Sequence, residues 1–185
     1  GIPLFIDDEA GLTAHQIAAR ARRLHAKHKL TCVVIDHLHD IKIKGDDRVS
    51  EYGDACQVFK QLSKDLGIPV IVVAQLNRAL ASRTDKRPTM TDLRASGEIE
   101  QKADLILFVH REDYYDTEDE QTHLQGVIEL ILAKGRNMKR GSVIYLQNLF
   151  GQMNVVDWEG KLPQKPEREG KRSRGYSGPS KAVVD

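Results

Sequence analysis

Two apolar runs, 31–35 and 70–74, each end on a polar side chain, Asp36 after the first and Gln75 after the second. Between them, residues 49–66 place Ala55, Val58, Phe59, Leu62 and Leu66 on one helical face, Gly67 closes that segment, and Pro69 opens the second run. Runs dense in β-branched residues belong to strands buried on both faces. Helical spacing between two such runs, followed by further strands, predicts an α/β sheet that is parallel in its middle and flanked by helices. A third strand over 105–109 ends on His110. In sheets of this kind ligands bind beyond the carboxyl ends of the strands. Asp36, Gln75 and His110 are therefore the first candidate functional groups.

The rest of the chain supports the same class. Leu4-Phe-Ile6 is a short apolar run ended by Asp7 and Asp8, and it reads as a strand end. Thr13 with Gln16 three residues on has capping-box form, and Ile17, Ala18, Ala21 and Leu24 follow at helical spacing, which predicts a helix over about 13–28. Residues 77–91 are too polar for a core element, a short helix is expected near 97–102, and an acidic loop covers 112–120. The runs 127–133 and 142–147 flank Gly135-Arg-Asn-Met-Lys-Arg-Gly141, the pattern of a closing antiparallel hairpin.

Length and composition fit one ordinary domain with a tail. The chain has 185 residues, 40% hydrophobic and 30% charged, enough for one core. No stretch approaches the roughly 18 apolar residues of a membrane span, and Gly1-Ile-Pro-Leu-Phe5 lacks signal-peptide organisation. Cys32 and Cys56 do not make a disulfide framework, which points to a reducing, cytoplasmic setting. Net charge is only +1, so partners must be inferred from local charge. From Gly160 onward, seven basic residues face three acidic ones in a stretch rich in Gly, Pro and Ser. Such a segment cannot bury enough apolar surface to fold alone. The expected division is a folded unit over 1–158 and a basic, flexible, solvated tail over 159–185.

A carboxylate ending a hydrophobic strand can hold Mg²⁺ beside a nucleotide phosphate. His37 and His39, on one face of an extended segment, offer a transition-metal alternative with Asp36, but a further ligand at recognisable spacing is absent. The two histidines read better as strand-end residues packing against a neighbour. Gln75 can both donate to and accept from a phosphate's surroundings in neutral form. Lys134 and Arg136, two residues apart where the hairpin turn begins, can project to one side as a cationic pair suited to phosphoryl charge.

Taken in order, Val33-Val-Ile-Asp36, Val73-Ala-Gln-Leu-Asn-Arg78, Lys86-Arg-Pro-Thr-Met-Thr-Asp-Leu-Arg-Ala-Ser-Gly97, Glu98-Ile-Glu-Gln-Lys-Ala-Asp104, Arg111-Glu-Asp-Tyr-Tyr115 and Ala133-Lys-Gly-Arg-Asn137 resemble the C-terminal ATPase domain of DnaB-type replicative helicases. The likeness runs from about Ile2 to Trp158. It implies a RecA-like ATPase that uses ATP and Mg²⁺ and assembles as a homo-hexameric ring around single-stranded DNA, with a primase and a helicase loader as further partners. Asp36 matches the Walker B aspartate that holds the metal, and Gln75 the phosphate-sensing glutamine. Lys134 and Arg136 match the basic pair that reaches a neighbouring subunit's ATP, Arg136 being the arginine finger. Arg94, Ala95 and Gly97 match the channel loop that holds DNA phosphates, where a missing Cβ lets a backbone N–H approach closely.

Departures from the family pattern carry their own expectations. Asp36-His-Leu-His39 stands where Asp-Tyr-Leu-Gln is usual, which keeps the metal role and alters packing. Ala95 replaces a usual glutamate, leaving only a main-chain contact there. Gly135 replaces a usual glutamine, which is expected to loosen the turn, and Met138-Lys-Arg140 is more basic than usual. No Gly-x-x-x-x-Gly-Lys-Ser/Thr occurs in the 185 residues, nor the strand whose glutamate activates the attacking water. In the family both lie N-terminal to the matched region, so the chain reads as a piece of the ATPase domain that is inactive alone. A non-catalytic DNA- or partner-binding module is the alternative reading.

Overall fold

The computed structural model describes residues 3–164 apart from 44, 46, 94, 95, 118–120 and 137, and the side chain of residue 96 is likewise outside the description. Residues 165–185, most of the tail expected to be flexible, lie outside the described residues.

Helix α1, Ala14–His28, starts where the capping box puts it. Thr13 Oγ1 accepts from the Gln16 N–H at 3.4 Å, and the Gln16 side chain accepts from the Thr13 N–H at 2.9 Å. Two donors that the first helical turn leaves unpaired are thereby satisfied. Helix α2, Arg48–Leu66, is capped by Asp47 and ends at Gly67, whose φ of 66° is the left-handed conformation a side chain would resist. Ala55, Phe59 and Leu62 of the expected face are buried, with Val58 and Leu66 partly so.

Strands β1, Val33–Ile35, and β2, Val70–Val72, pair in parallel with Val33 opposite Val70 and Ile35 opposite Val72. They make the parallel part of the fold. Helix α3, Ser96–Lys102, leads into β3, Leu105–His110. Strands β4, Val127–Gly135, β5, Val143–Leu149, and β6, Asn154–Asp157, extend it into an antiparallel sheet ordered β3-β4-β5-β6. Expected strand β3 therefore pairs with the hairpin rather than with the parallel strands, and its register places Leu105 opposite Gly135 and His110 opposite Glu129.

One core joins the two sheets: Ile35 of β1, Tyr52, Ala55 and Phe59 of α2, Ile99 of α3, and Ile106 and Phe108 of β3 pack together. A satellite of Ala18, Ala21 and Leu62 seals α1 on α2. The opposite faces stay open. Val34, Ile71 and Val73 are exposed on the parallel pair, and Leu105, Leu107 and Val109 on β3. Leu4-Phe-Ile6 forms no strand: Leu4 and Ile6 are exposed, and the segment is tied down through Asp7, which accepts from Arg20 on α1. Among the described residues no helix is long and apolar enough to cross a membrane.

Candidate functional site

Parallel pairing brings the ends of β1 and β2 side by side. The Val73 N–H donates to Ile35 O at 2.9 Å and the Leu38 N–H to Val73 O at 2.8 Å, so the ladder continues past both strands. Asp36 and Gln75 thus leave the sheet at one edge. Asp36 is exposed and engages no ion pair among the described residues. A lone, accessible carboxylate suits Mg²⁺, which binds through one or two carboxylates, keeps most of its waters and completes its shell with substrate phosphates.

Gln75 is held in place. Its Nε2 donates to His37 Nε2 at 2.8 Å, and its backbone N–H donates to His39 Nδ1 at 3.3 Å. His37 Nε2 also lies 3.5 Å from Asp40 Oδ2, and the His39 ring meets Tyr52 edge-on at 5.0 Å. The histidines therefore pack at the strand end and brace the amide. Among the described residues no three His, Cys, Asp or Glu side chains converge as a metal site.

A second edge lies where β4 meets the start of β3. Lys134 turns toward α3 and donates to the Glu100 carbonyl. Arg136 Nη2 pairs with Asp104 Oδ1 at 3.2 Å while its side chain remains 74% exposed. Asp104 Oδ1 also accepts from Lys60 Nζ at 2.9 Å, and Lys60 donates in addition to Lys102 O at 3.0 Å. The Lys60 hydrogen bond, opposed by partial burial and reinforced by the charges of Arg136 and Lys134, holds the Asp104 carboxyl below its usual range. Gly135 stands between the two cations. A Cβ there would stand 3.1 Å from Met138 Cβ and 3.3 Å from Leu132 Cδ1, so Met138 already fills the space.

Two arginines brace the polar stretch before α3. Leu76 bridges to Leu93, and the Asn77 N–H donates to Asp92 O at 2.8 Å, closing the segment into a loop. Contrary to the expectation from the polarity of 77–91, it contributes Leu80 to the interior, and Leu93 just beyond that stretch is buried too. Arg83 reaches Asp92 at 2.9 Å, and Arg87 grips Glu129 with two bonds of 2.8 and 2.7 Å. Burial raises the Asp92 carboxyl, but the Thr89 N–H and hydroxyl together with Arg83 outweigh it and leave it lowered. His110 does not stand open at a strand end: it is buried, with Nε2 3.2 Å from Glu112. Arg94 and Ala95 lie outside the described residues. Gly97, in the first turn of α3, is exposed with nothing within 4 Å of the position a Cβ would take.

Residues 1–150 match the DnaB-like helicase C terminal domain. The chain belongs to that family. It is 40% identical over 143 residues to the replicative DNA helicase DnaB of Buchnera aphidicola subsp. Schizaphis graminum, covering 76% of this chain and 30% of that protein. It is 41% identical over 143 residues to the replicative DNA helicase DnaC of Bacillus subtilis, covering 76% and 31%. A match to the Rickettsia bellii DnaB covers 89% of this chain and 37% of that protein at 36% identity. Among solved structures, a DnaB-like replicative helicase described with its primase interactions superimposes with a TM-score of 0.73 at 32% identity, covering 83% of this chain and 37% of that one. A solved ATPase domain gives 0.72 at 33% identity, with 82% and 54% covered. The fold is thus that of the RecA-like ATPase domains of the DnaB-like family, and the chain spans about a third of the length of the curated relatives it matches.

Membership in the DnaB-like family gives the two edges a common frame. Sequence reasoning singled out Asp36, Gln75, Lys134 and Arg136 and read His37 and His39 as packing residues, but it passed over Asp104, Lys60 and the Arg87–Glu129 pair. Asp104 directly precedes an apolar run, as Asp7 follows one, and only the β3–β4 register distinguishes a residue beside the cationic pair from a loop carboxylate.

Proposed function

We propose that this chain forms part of an ATP-dependent replicative DNA helicase, which acts as a homo-hexameric ring and translocates on single-stranded DNA. The observation that carries the reading is the separation of functions between two edges. A free carboxylate and a braced amide share the carboxyl edge of β1 and β2, while an exposed guanidinium stands on the β3–β4 edge with only a monodentate partner among the described residues. Groups so divided suit a nucleotide held between subunits, one contributing Asp36 and Gln75, the next contributing Lys134 and Arg136.

In that arrangement Asp36 holds Mg²⁺, and the ion neutralises phosphate charge and orients the triphosphate of ATP. Gln75 sits where loss of the terminal phosphate changes its hydrogen bonding, with His37 and His39 setting its direction. Lys134 and Arg136 spread the charge that develops on the transferred phosphoryl group, the fork of Arg136 offering paired donors. Arg94, Ala95 and Gly97 contact DNA phosphates, and the open space at Gly97 leaves room for a close main-chain approach. A primase partner follows from the solved relative described with one; a helicase loader and a cytoplasmic site of action complete the reading. The 185-residue chain, without a Gly-x-x-x-x-Gly-Lys-Ser/Thr cradle, is expected not to hydrolyse ATP alone.

Arg136→Ala in a full-length protein carrying this chain tests the reading. Where arginine fingers have been measured in GTPases they contribute on the order of 10³ to 10⁵ in rate, so hydrolysis should fall to background while nucleotide still binds. Wild-type turnover in that variant would remove the finger and with it the inter-subunit mechanism.

A further inference from the structure

We propose that Asp104 is a positioning residue, a resting anchor that holds Arg136 in its own subunit until a neighbour's triphosphate draws it away. The inference rests on the finger assignment above and adds to it the site the finger leaves.

The β3–β4 register fixes the geometry. With Leu105 opposite Gly135, Asp104 lies opposite Arg136 one step beyond the paired residues. The contact is built to be released. It runs through one nitrogen, Nη2, at 3.2 Å, whereas a guanidinium at its best binds a carboxylate through two parallel bonds. Arg136 is 74% exposed, so water replaces whatever it gives up. The same Asp104 oxygen is already engaged by Lys60 at 2.9 Å, and Lys60 is itself fixed to the Lys102 carbonyl on α3. When Arg136 departs, Asp104 keeps a cation and is not stranded. Lys60 therefore weakens the anchor while Arg136 is docked and stabilises the empty anchor afterwards. A triphosphate carries several negative oxygens, and Lys60, which shares the carboxylate, stays tied to Lys102 O, so exchange from carboxylate to phosphate runs toward the nucleotide.

The consequence is a pair of effects with opposite signs on nucleotide affinity. Asp104→Asn removes the anchoring charge, and the apparent KM for ATP in a full-length protein should fall by about two- to fivefold, the scale set by exposed ion pairs; the fall should exceed any change in kcat. Lys60→Met keeps the apolar stem and removes the competitor, so KM should rise. A residue that merely supported the fold would move KM in the same direction in both variants.

Equilibrium binding of a non-hydrolysable ATP analogue completes the test, because it reads affinity without turnover. Asp104→Asn should tighten the analogue in the Arg136 background and leave it unchanged in the Arg136→Ala background. If both variants shift KM the same way, or if Asp104→Asn has equal effect in the two backgrounds, the anchor is overturned. Loss of hydrolysis in Arg136→Ala under either outcome leaves the finger standing, and retained hydrolysis removes the finger itself, so the two failures are distinct.

Discussion

Cys56 sits on α2 against the shared core, and burial pushes its thiol up to about 11. At pH 8 its thiolate fraction is then about one part in a thousand, against roughly a quarter for an unperturbed thiol near 8.5. Alkylation by iodoacetamide should be at least about a hundredfold slower in the folded chain than in denaturant. The rate should climb about tenfold per pH unit until the thiol ionises near 11. Equal rates in folded and unfolded chain, followed by mass spectrometry of the Cys56 peptide, would contradict the buried placement. Single residues differ in how far the sequence reveals them. Asp36 and Gln75 were legible because an apolar run that stops on a polar group marks a strand end, and parallel pairing then aligns the two ends. Asp104 and Glu129 were not, because a carboxylate's role depends on which cation the fold brings to it. Lys60 lies 44 residues from Asp104, and Arg87 lies 42 from Glu129, separations at which local pattern carries no information.

At the scale of elements, local chemistry located most helices and strands closely. Thr13 and Gln16 announce α1, Gly67 ends α2, and the glycine-bounded turn separates β4 from β5. What local chemistry could not supply was partnership. Residues 31 and 32 have strand character, but only Val33–Ile35 finds partners on β2. Leu4-Phe-Ile6 has the composition of a strand and no ladder among the described residues. Strand β6 escaped notice because all four of its residues are exposed and show no alternation. The 77–93 loop depends on partnership most of all, since Arg87 anchors it to β4 through Glu129, which is 3% exposed in its side chain. Removing the guanidinium leaves a buried carboxylate unpaired. Because Arg87 itself is half exposed and water can partly replace it, Arg87→Ala should cost about 2–3 kcal/mol in urea unfolding. Adding Glu129→Leu should recover most of that loss, since a buried ion pair exchanged for apolar packing is often close to neutral. A double variant no better than the single would mean that Glu129 supports β4 by some other route than its charge.

At the scale of the whole molecule, β1, β2 and β3 each turn one face to the shared core and leave the other open. Along β3, Ile106, Phe108 and His110 point into the core, while Leu105, Leu107 and Val109 point out, Val109 being 64% exposed. Val34 and Ile71, opposite each other on β1 and β2, are 63% and 52% exposed. Parallel strands are ordinarily buried on both faces, and open apolar patches of this kind mark surfaces that are covered in the assembled protein. The chain accounts for about a third of its curated relatives' length, so the expected cover is the remainder of the ATPase domain in a longer chain. Two consequences follow with opposite signs. In the 185-residue chain, Leu107→Lys with Val109→Lys should raise solubility and lower binding of a dye such as ANS, because both side chains face water. In a full-length protein the same pair should destabilise the ATPase domain by roughly 2–3 kcal/mol per lysine, from lost apolar burial and from placing a charge under the cover. Thermal unfolding of both lengths reads the contrast directly. If the full-length protein tolerated both lysines without loss, this face would remain open to solvent in the longer chain too, and the ATPase domain would have to close its core around a different surface.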